Sequence, residues 1–132
     1  MAEERRQQSI EVEGLGHAGT PIPMGCRVGP ILMTSGVNGR DAKAGKVPED
    51  ADSQARNAFE NLKAVLANGG MGLGDVVKIT VYVVDDKYRT EINKYWEECY
   101  PDPHKRPARH THITPLRNVL LQLEAFAVAK GA

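Results

Sequence analysis

The segment VLLQLEAFAVA, residues 119–129, constrains the fold of this chain more than any other stretch. Successive side chains of a strand point to opposite faces of its sheet, so this segment presents two alternating sets. One set is wholly apolar: Val119, Leu121, Leu123, Ala125, Ala127 and Ala129. The other set is largely apolar: Leu120, Gln122, Glu124, Phe126 and Val128. A strand that is apolar on both sides is covered on both sides.

Two amphipathic segments can cover one of these faces. From Ala51 to Asn68 the apolar residues recur every three or four positions, which predicts a helix with Asp50 as its N-cap and Gly69-Gly70 at its end. A second stripe of this kind runs from Tyr88 to Cys99. Two helices cover about one face of a small sheet, so the other face needs a partner. The simplest partner is another copy of the chain, and we therefore predict a homo-oligomer.

Short strands account for most of the remaining chain. SIEVEG alternates in polarity, and MGCRVGPILMTSG is typical of two strands joined by a turn at Gly29-Pro30. VVKITVYVV is rich in β-branched residues, and a further strand is expected from Ala108 to Thr114. GVNGRDAKAGKVPED is expected to be a loop. The chain of 132 residues fits one α+β domain spanning residues 1–132.

Composition narrows the class of partner. Seventeen basic and seventeen acidic residues cancel, which argues against nucleic acid as the main partner. The opening MAEERRQQ has no apolar core, so it is not a signal peptide, and no apolar run approaches the ~20 residues of a membrane span. Cys26 and Cys99 form no CxxC pair or metal spacing. We expect two reduced thiols in a cytoplasmic protein.

Two motifs match known binding patterns but lack the neighbouring features that binding would need. GLGHAG, residues 14–19, matches a dinucleotide fingerprint, but the prolines at 21 and 23 prevent the helix that would hold a pyrophosphate. His110 and His112 share a strand face, yet no third ligand stands out by spacing, so we predict no metal. His17 lies in a loop, where a histidine is usually solvated.

Arg109 is the charged residue that needs an explanation, because it lies inside a predicted strand. It falls on the opposite face from His110 and His112, with Thr111 on its own side. Glu124, on an otherwise apolar face, also needs a partner, since a buried carboxylate is costly unless paired. Either Arg109 and Glu124 form a structural pair, or they line a polar pocket at a subunit interface.

The order of several segments resembles the RidA/YjgF family of reactive-intermediate (enamine/imine) deaminases. The likeness rests on RVGPILMTSGV, on the stretch from DADSQARNAF to KITVYVVD, and on PAR followed by QLEAFAV. The resemblance implies a chorismate-mutase-like α+β fold, in which a mixed sheet carries two helices on one face. It also implies three subunits that pack their sheets into a central barrel, with active sites between neighbouring subunits.

The resemblance assigns roles to individual residues. Arg109, the arginine of PAR, would hold a substrate carboxylate, and Ser35 and Thr111 would line the pocket. Ile22 stands where well-attested deaminases have a tyrosine. Gln122 stands where they have a glutamate that positions water, and a carboxamide cannot accept a proton. The loop after Arg109 looks short, so a different placement of the gap would put Glu124 in that position.

The function implied is hydrolysis of small 2-imino or 2-enamino acids to 2-keto acids and ammonia, without a cofactor. Two alternatives stay open because of Ile22 and Gln122. The chain could be a non-catalytic module that binds small keto or imino acids, or a specialised deaminase of a larger catabolic enamine, such as an aminomuconate-type substrate. RNA cleavage or translational inhibition, also linked with this family, is the weakest alternative because the charge is neutral.

Overall fold

The computed structural model describes residues 3–17 and 19–131. Seven strands and two α-helices follow one another along the chain, with single turns of 3₁₀ helix at Leu73–Asp75 and Asp86–Tyr88. The elements are β1 (Gln8–Ile10), β2 (Gly25–Val28), β3 (Ile31–Thr34), β4 (Val37–Asn38), α1 (Ala51–Asn68), β5 (Val76–Val83), α2 (Arg89–Cys99), β6 (Ala108–Ile113) and β7 (Leu121–Val128).

All of the strands belong to one mixed sheet, in the order β1-β2-β3-β7-β5-β6, with β4 also paired to β7. Only β5 and β6 run parallel, and the chain between them contains α2. The other pairs are antiparallel. This is the α+β arrangement predicted from the sequence, with β6 at one edge of the sheet.

The two faces of β7 have different surroundings. Leu121, Leu123, Ala125 and Ala127 are at most 2% exposed and belong to the core that α1 and α2 close. We call the side of the sheet that carries the helices the helix face. Gln122, Glu124, Phe126 and Val128 lie on the other side, the open face, and are half-buried or exposed. Two helices thus cover one face of the sheet, as the sequence predicts.

Helix α1 begins and ends where its sequence signals predict. The Asp50 carboxylate accepts a hydrogen bond from the Ser53 amide at 2.8 Å, which satisfies one of the free donors of the first turn. After the last turn, Gly70 adopts a φ of 79°, and the Met71 amide donates to the Leu66 carbonyl at 2.8 Å. This left-handed turn is favourable for glycine and directs the chain into β5.

In three places the structure differs from the expectations by more than one residue. The first strand covers Gln8–Ile10 rather than SIEVEG, because its partner β2 begins only after Pro21 and Pro23, which cannot donate to a ladder. The expected loop contains β4, whose Val37 pairs with Leu123 far along the chain. The last strand begins at Leu121, two residues later than predicted. Among the described residues, no helix combines the length and apolarity that crossing a membrane requires.

Candidate active site

Arg109 lies on the helix face of edge strand β6, beside α2. Its register partner on β5 is Ile79, which is fully buried under the helices. The Arg109 guanidinium carbon is 5.2 Å from the centre of the Trp96 ring, and its Nε donates to Thr111 Oγ1 at 3.1 Å. Stacking on an aromatic ring and one hydrogen bond from Nε hold the planar fork in a fixed orientation.

The Arg109 side chain carries a charge that no carboxylate balances within residues 3–17 and 19–131. The four ion pairs found there use other cations: Arg5, Lys63, Arg89 and Lys94. Burial, and then the nearby charge of Arg89, lower the pKa of Arg109 from its ordinary value. The ordinary pKa of an arginine is so high that Arg109 still carries its charge at neutral pH. A half-buried cation of this kind favours an anionic ligand.

Gln122 and Glu124 lie on the opposite side of the sheet from Arg109. Strand β5 separates β7 from β6, and its Thr80 is the register partner of Glu124. Glu124 accepts a long hydrogen bond of 3.4 Å from the Tyr82 hydroxyl. Burial and the Glu124 charge raise the pKa of Tyr82. A structural pair between Arg109 and Glu124 within one protomer, one of the two alternatives from the sequence, is therefore wrong.

Gln122 opens onto a broad cavity of about 770 Å³, where β7 meets the loops before β2 and after β4. We call it the loop cavity and define it by six of its lining residues: Leu15, His17, Ile22, Arg40, Arg117 and Gln122. Ile22 thus lines the same cavity as Gln122. Glu124 instead lines a separate depression of about 300 Å³, together with Lys78 and Phe126.

The TSG segment packs directly against Gln122. The Ser35 hydroxyl donates to the Pro23 carbonyl at 2.7 Å, and the Ser35 amide donates to the Met24 carbonyl at 2.9 Å. A Cβ atom on Gly36 would lie 2.5 Å from Gln122 Nε2, so a larger residue would displace the carboxamide. Ser35 and Gln122 therefore lie on neighbouring segments, whereas Arg109 and Thr111 form a second group across the sheet.

Three residues of the loop cavity are not site candidates from the sequence: His17, Arg40 and Arg117. His17 is not a solvated loop residue, because its Nε2 is 3.0 Å from the Gly36 carbonyl and its Nδ1 is buried without a partner among the described residues. All three lie in irregular segments, where residues belong to no helical or strand pattern that could mark them in the sequence. Only the chain path brings them together.

The histidine pair lies on the open face, where the His110 and His112 rings are 4.2 Å apart and His112 stacks on Tyr82. Across the part of the chain that the structure describes, no group of three or more histidine, cysteine, aspartate or glutamate side chains could hold a metal ion.

Comparison with known proteins gives a consistent result. The family model described as Endoribonuclease L-PSP matches residues 21–129. The 2-iminobutanoate/2-iminopropanoate deaminase of Salmonella typhimurium is 33% identical over 126 residues, covering 93% of this chain and 98% of that protein. The counterpart in Escherichia coli K12 is 32% identical over the same length.

Solved structures agree with the sequence comparisons. The crystal structure of the YjgF gene product from E. coli matches with a TM-score of 0.82 and 31% identity, covering 92% of this chain and 98% of that one. RidA from the Antarctic bacterium Psychrobacter sp. PAMC 21119 matches with a TM-score of 0.83 and 25% identity over the same shares. The chain therefore belongs to the Endoribonuclease L-PSP family, the RidA/YjgF family that its sequence resembles.

Proposed function

We propose that this protein hydrolyses small 2-imino or 2-enamino acids to 2-keto acids and ammonia. Two relatives that bear the name of such a deaminase match nearly the whole chain and support this reaction class. The observation that carries the proposal is the Arg109 guanidinium, half-buried, oriented by Trp96 and Thr111, and without a carboxylate partner in the described residues. A small carboxylic acid supplies the missing charge.

Arg109 would bind the substrate carboxylate with its two terminal nitrogens. Nε is already engaged with Thr111, and the terminal nitrogens make no hydrogen bond to the described part of the chain. A guanidinium presents two parallel N–H groups that match the two oxygens of a carboxylate. Thr111 accepts from Arg109, so its own hydroxyl hydrogen is available to a ligand. The two residues would act together as a carboxylate clamp.

A complete site would need residues from two copies of the chain. Arg109 and Thr111 lie beside α2 at the sheet edge, whereas Ser35, Ile22 and Gln122 lie around the loop cavity across the sheet. The open face also presents apolar side chains to solvent, among them Met33, which is 50% exposed. We propose that three copies bury this face in a barrel, so that one subunit's Arg109 meets a neighbour's loop cavity.

The reaction needs little activation by the protein, because the carbon of a protonated imine is already electrophilic. An enamino acid first takes a proton on its β-carbon and so becomes the same protonated imine. Water adds to the C=N carbon, a proton passes from the added oxygen to the nitrogen, and the C–N bond breaks as ammonia leaves. The C=O bond forms as the remaining hydroxyl proton passes to the ammonia or to solvent. No cofactor is required for these steps. Gln122 would orient the water but cannot take its proton, so the proton would pass to the nitrogen directly or through solvent.

Ser35 would bind the leaving nitrogen. Its hydroxyl hydrogen is committed to the Pro23 carbonyl, which leaves the oxygen as an acceptor for an iminium N–H. Ile22 would supply an apolar wall in place of the family tyrosine. Positioning of this kind can account for a large share of a bond-forming barrier.

Both cysteines are free thiols in the structure, which supports the proposal of a cytoplasmic enzyme.

The test is Arg109→Ala, assayed with 2-iminopropanoate generated in situ from alanine by an amino-acid oxidase. We expect the rate of imine hydrolysis to fall about 100-fold or more, because the substrate is no longer oriented. Lys105→Ala, at an exposed loop position nearby, is the control and should keep its activity. A variant that stays folded and oligomeric but retains most of the activity would disprove anchoring by Arg109.

Gln122 and Ile22 also support a second candidate, a module that binds keto or imino acids without turnover. The discriminating measurement is a calorimetric titration with 2-oxobutanoate beside a hydrolysis assay. Binding together with a hydrolysis rate equal to that in buffer would favour the module. Hydrolysis well above the buffer rate would exclude it.

A further inference from the structure

The loop cavity carries more positive than negative side chains, because two arginines line it. Arg40 and Arg117 both line it, together with His17, and none of the described residues that line it is an aspartate or glutamate. Neither arginine takes part in the four ion pairs found among residues 3–17 and 19–131. Guanidinium groups that line a cavity favour an anionic ligand there.

The chain holds Arg40 at this place by three hydrogen bonds. Its Nε donates to the Gly14 carbonyl at 3.2 Å, its amide donates to Asn38 Oδ1 at 3.0 Å, and its carbonyl accepts from Asn61 Nδ2 at 2.8 Å. Asn61 is a buried residue of α1. Arg40 is therefore tied to the core, and only its terminal nitrogens remain available to a ligand.

Arg117 comes from the short loop between β6 and β7. The next residue, Asn118, has a φ of 62° and is the one non-glycine residue with a positive φ in the described part of the chain. A left-handed backbone at a non-glycine residue is uncommon, and asparagine tolerates it better than most. This turn also places Asn118 and Val119 on the cavity wall beside Arg117.

The carboxamide of Gln122 fits this charge pattern. A carboxylate at this position would repel an anion in the same cavity. Gln122 keeps the orienting oxygen and nitrogen of the side chain without the negative charge. Among the described residues that line the loop cavity, Gln122 thus adds polar atoms without a negative charge.

We infer that the loop cavity binds a second carboxylate, so that the preferred substrates are imino or enamino dicarboxylic acids. This inference rests on the proposed function, because the first carboxylate would be held by Arg109 of a neighbouring subunit. The reacting C=N carbon would then lie between the two anchors, beside Gln122 and Ser35. The cavity of about 770 Å³ has room for a substrate several carbons longer than an iminobutanoate.

The test compares two keto acids of equal length by calorimetry: 2-oxoglutarate, with a distal carboxylate, and 2-oxopentanoate, with a methyl group there. We expect the dicarboxylate to bind about tenfold tighter or more, since a charge-assisted hydrogen bond contributes that much. The preference should fall as salt is raised. Equal affinities for the two acids would overturn the inference.

Two variants locate the preference. Arg117→Gln and Arg40→Gln should each reduce the affinity for 2-oxoglutarate about fivefold or more. Arg6→Gln removes the same charge at an exposed position outside the cavity and should leave the preference unchanged. A dicarboxylate preference that survives both cavity substitutions would show that another site causes it, and would contradict the inference.

A parallel assay separates this inference from the proposed function. Imines generated in situ from alanine and from glutamate are offered to the wild-type protein. Hydrolysis of neither imine would refute the deaminase, while the calorimetric preference would still decide the cavity's role. Hydrolysis of both with equal kcat/KM would leave the deaminase intact and overturn the inference. A higher kcat/KM for the imine from glutamate, lost in Arg117→Gln, would support both.

Discussion

The two faces of β7 belong to one strand but face different surroundings. On the helix face, Leu121, Leu123 and Ala127 are completely buried by residues of the same chain. On the open face, Gln122, Glu124 and Phe126 line two depressions that a single protomer leaves unfilled. The helix face supplies the stability of the protomer. In our proposal the open face serves association and carries Gln122, whereas Arg109 lies on the helix face at the edge of the sheet.

Truncating one side chain on each face of β7 tests whether the two faces contribute differently to the stability of the protomer. Leu123→Ala leaves a cavity in the core, so we expect the free energy of unfolding to fall by about 3 kcal/mol. Val128→Ala, on the half-buried open face, should cost less than about 1 kcal/mol in the protomer. Urea denaturation at low protein concentration measures both. Equal losses would show that the two faces are equally important within one protomer.

A charge on the open face tests association rather than folding. Met33→Glu places a carboxylate on a side chain that is 50% exposed in one protomer, so the protomer should still fold. Burying that carboxylate between subunits would cost several kcal/mol, and we expect dissociation to monomers. Sedimentation velocity measures the outcome.

The control for association is Ala67→Glu, which adds the same charge at an exposed position on α1. It should leave the oligomer intact, because α1 lies on the helix face. A Met33→Glu protein that stays as large as the wild type would mean that the open face is not the subunit interface.

Gln122→Glu sharpens the question of which residue positions the water. A carboxylate in the loop cavity could accept a proton, and a general base typically contributes ~10²–10⁴-fold, so we expect kcat for 2-iminopropanoate to rise about tenfold or more. The new activity should appear only above the pKa of the introduced carboxyl. The matched variant Glu124→Gln, in the other depression, should change kcat less than twofold. The opposite ranking would assign the water to Glu124.

The smallest effect concerns a polar link within the helix layer. Asp52 of α1 accepts hydrogen bonds from Lys94 at 3.0 Å and from the Tyr95 hydroxyl at 2.9 Å, both on α2. Both bonds lower the pKa of Asp52 below its ordinary 3.8, and the bond from Lys94 has the larger effect. The carboxylate therefore stabilises the fold above about pH 4, and this contribution is lost as the pH falls through the lower folded-state pKa.

Asp52→Asn should accordingly lower the urea midpoint slightly at pH 7, and the difference from wild type should shrink as the pH approaches 3. Glu60→Gln is the control, because its ion pair with Lys63 joins two residues of the same helix. It should change the midpoint less than Asp52→Asn does. A gap between Asp52→Asn and wild type that is independent of pH would rule out the carboxylate as its cause.

Much of the fold could be predicted because its signals are local. The stripe from Ala51 to Asn68, the cap at Asp50 and the left-handed turn after the helix are set by neighbours in sequence, and α1 has these bounds in the structure. β4 could not be predicted, because it has only two residues and these pair with Leu123 and Gln122, far along the chain. For the same reason, no periodic pattern marks Arg40 or Arg117 as neighbours.

Sequence reasoning alone predicted both helices, most of the strands, the doubly apolar last strand and the family, because periodicity and segment order are properties of the chain. It also singled out Arg109 and Gln122. Three features follow from tertiary contacts: Arg109 and Gln122 lie on opposite faces, Gln122 and Glu124 line separate depressions, and two arginines line one cavity. Those facts depend on strand register and loop path, which long-range packing fixes and which local sequence does not encode.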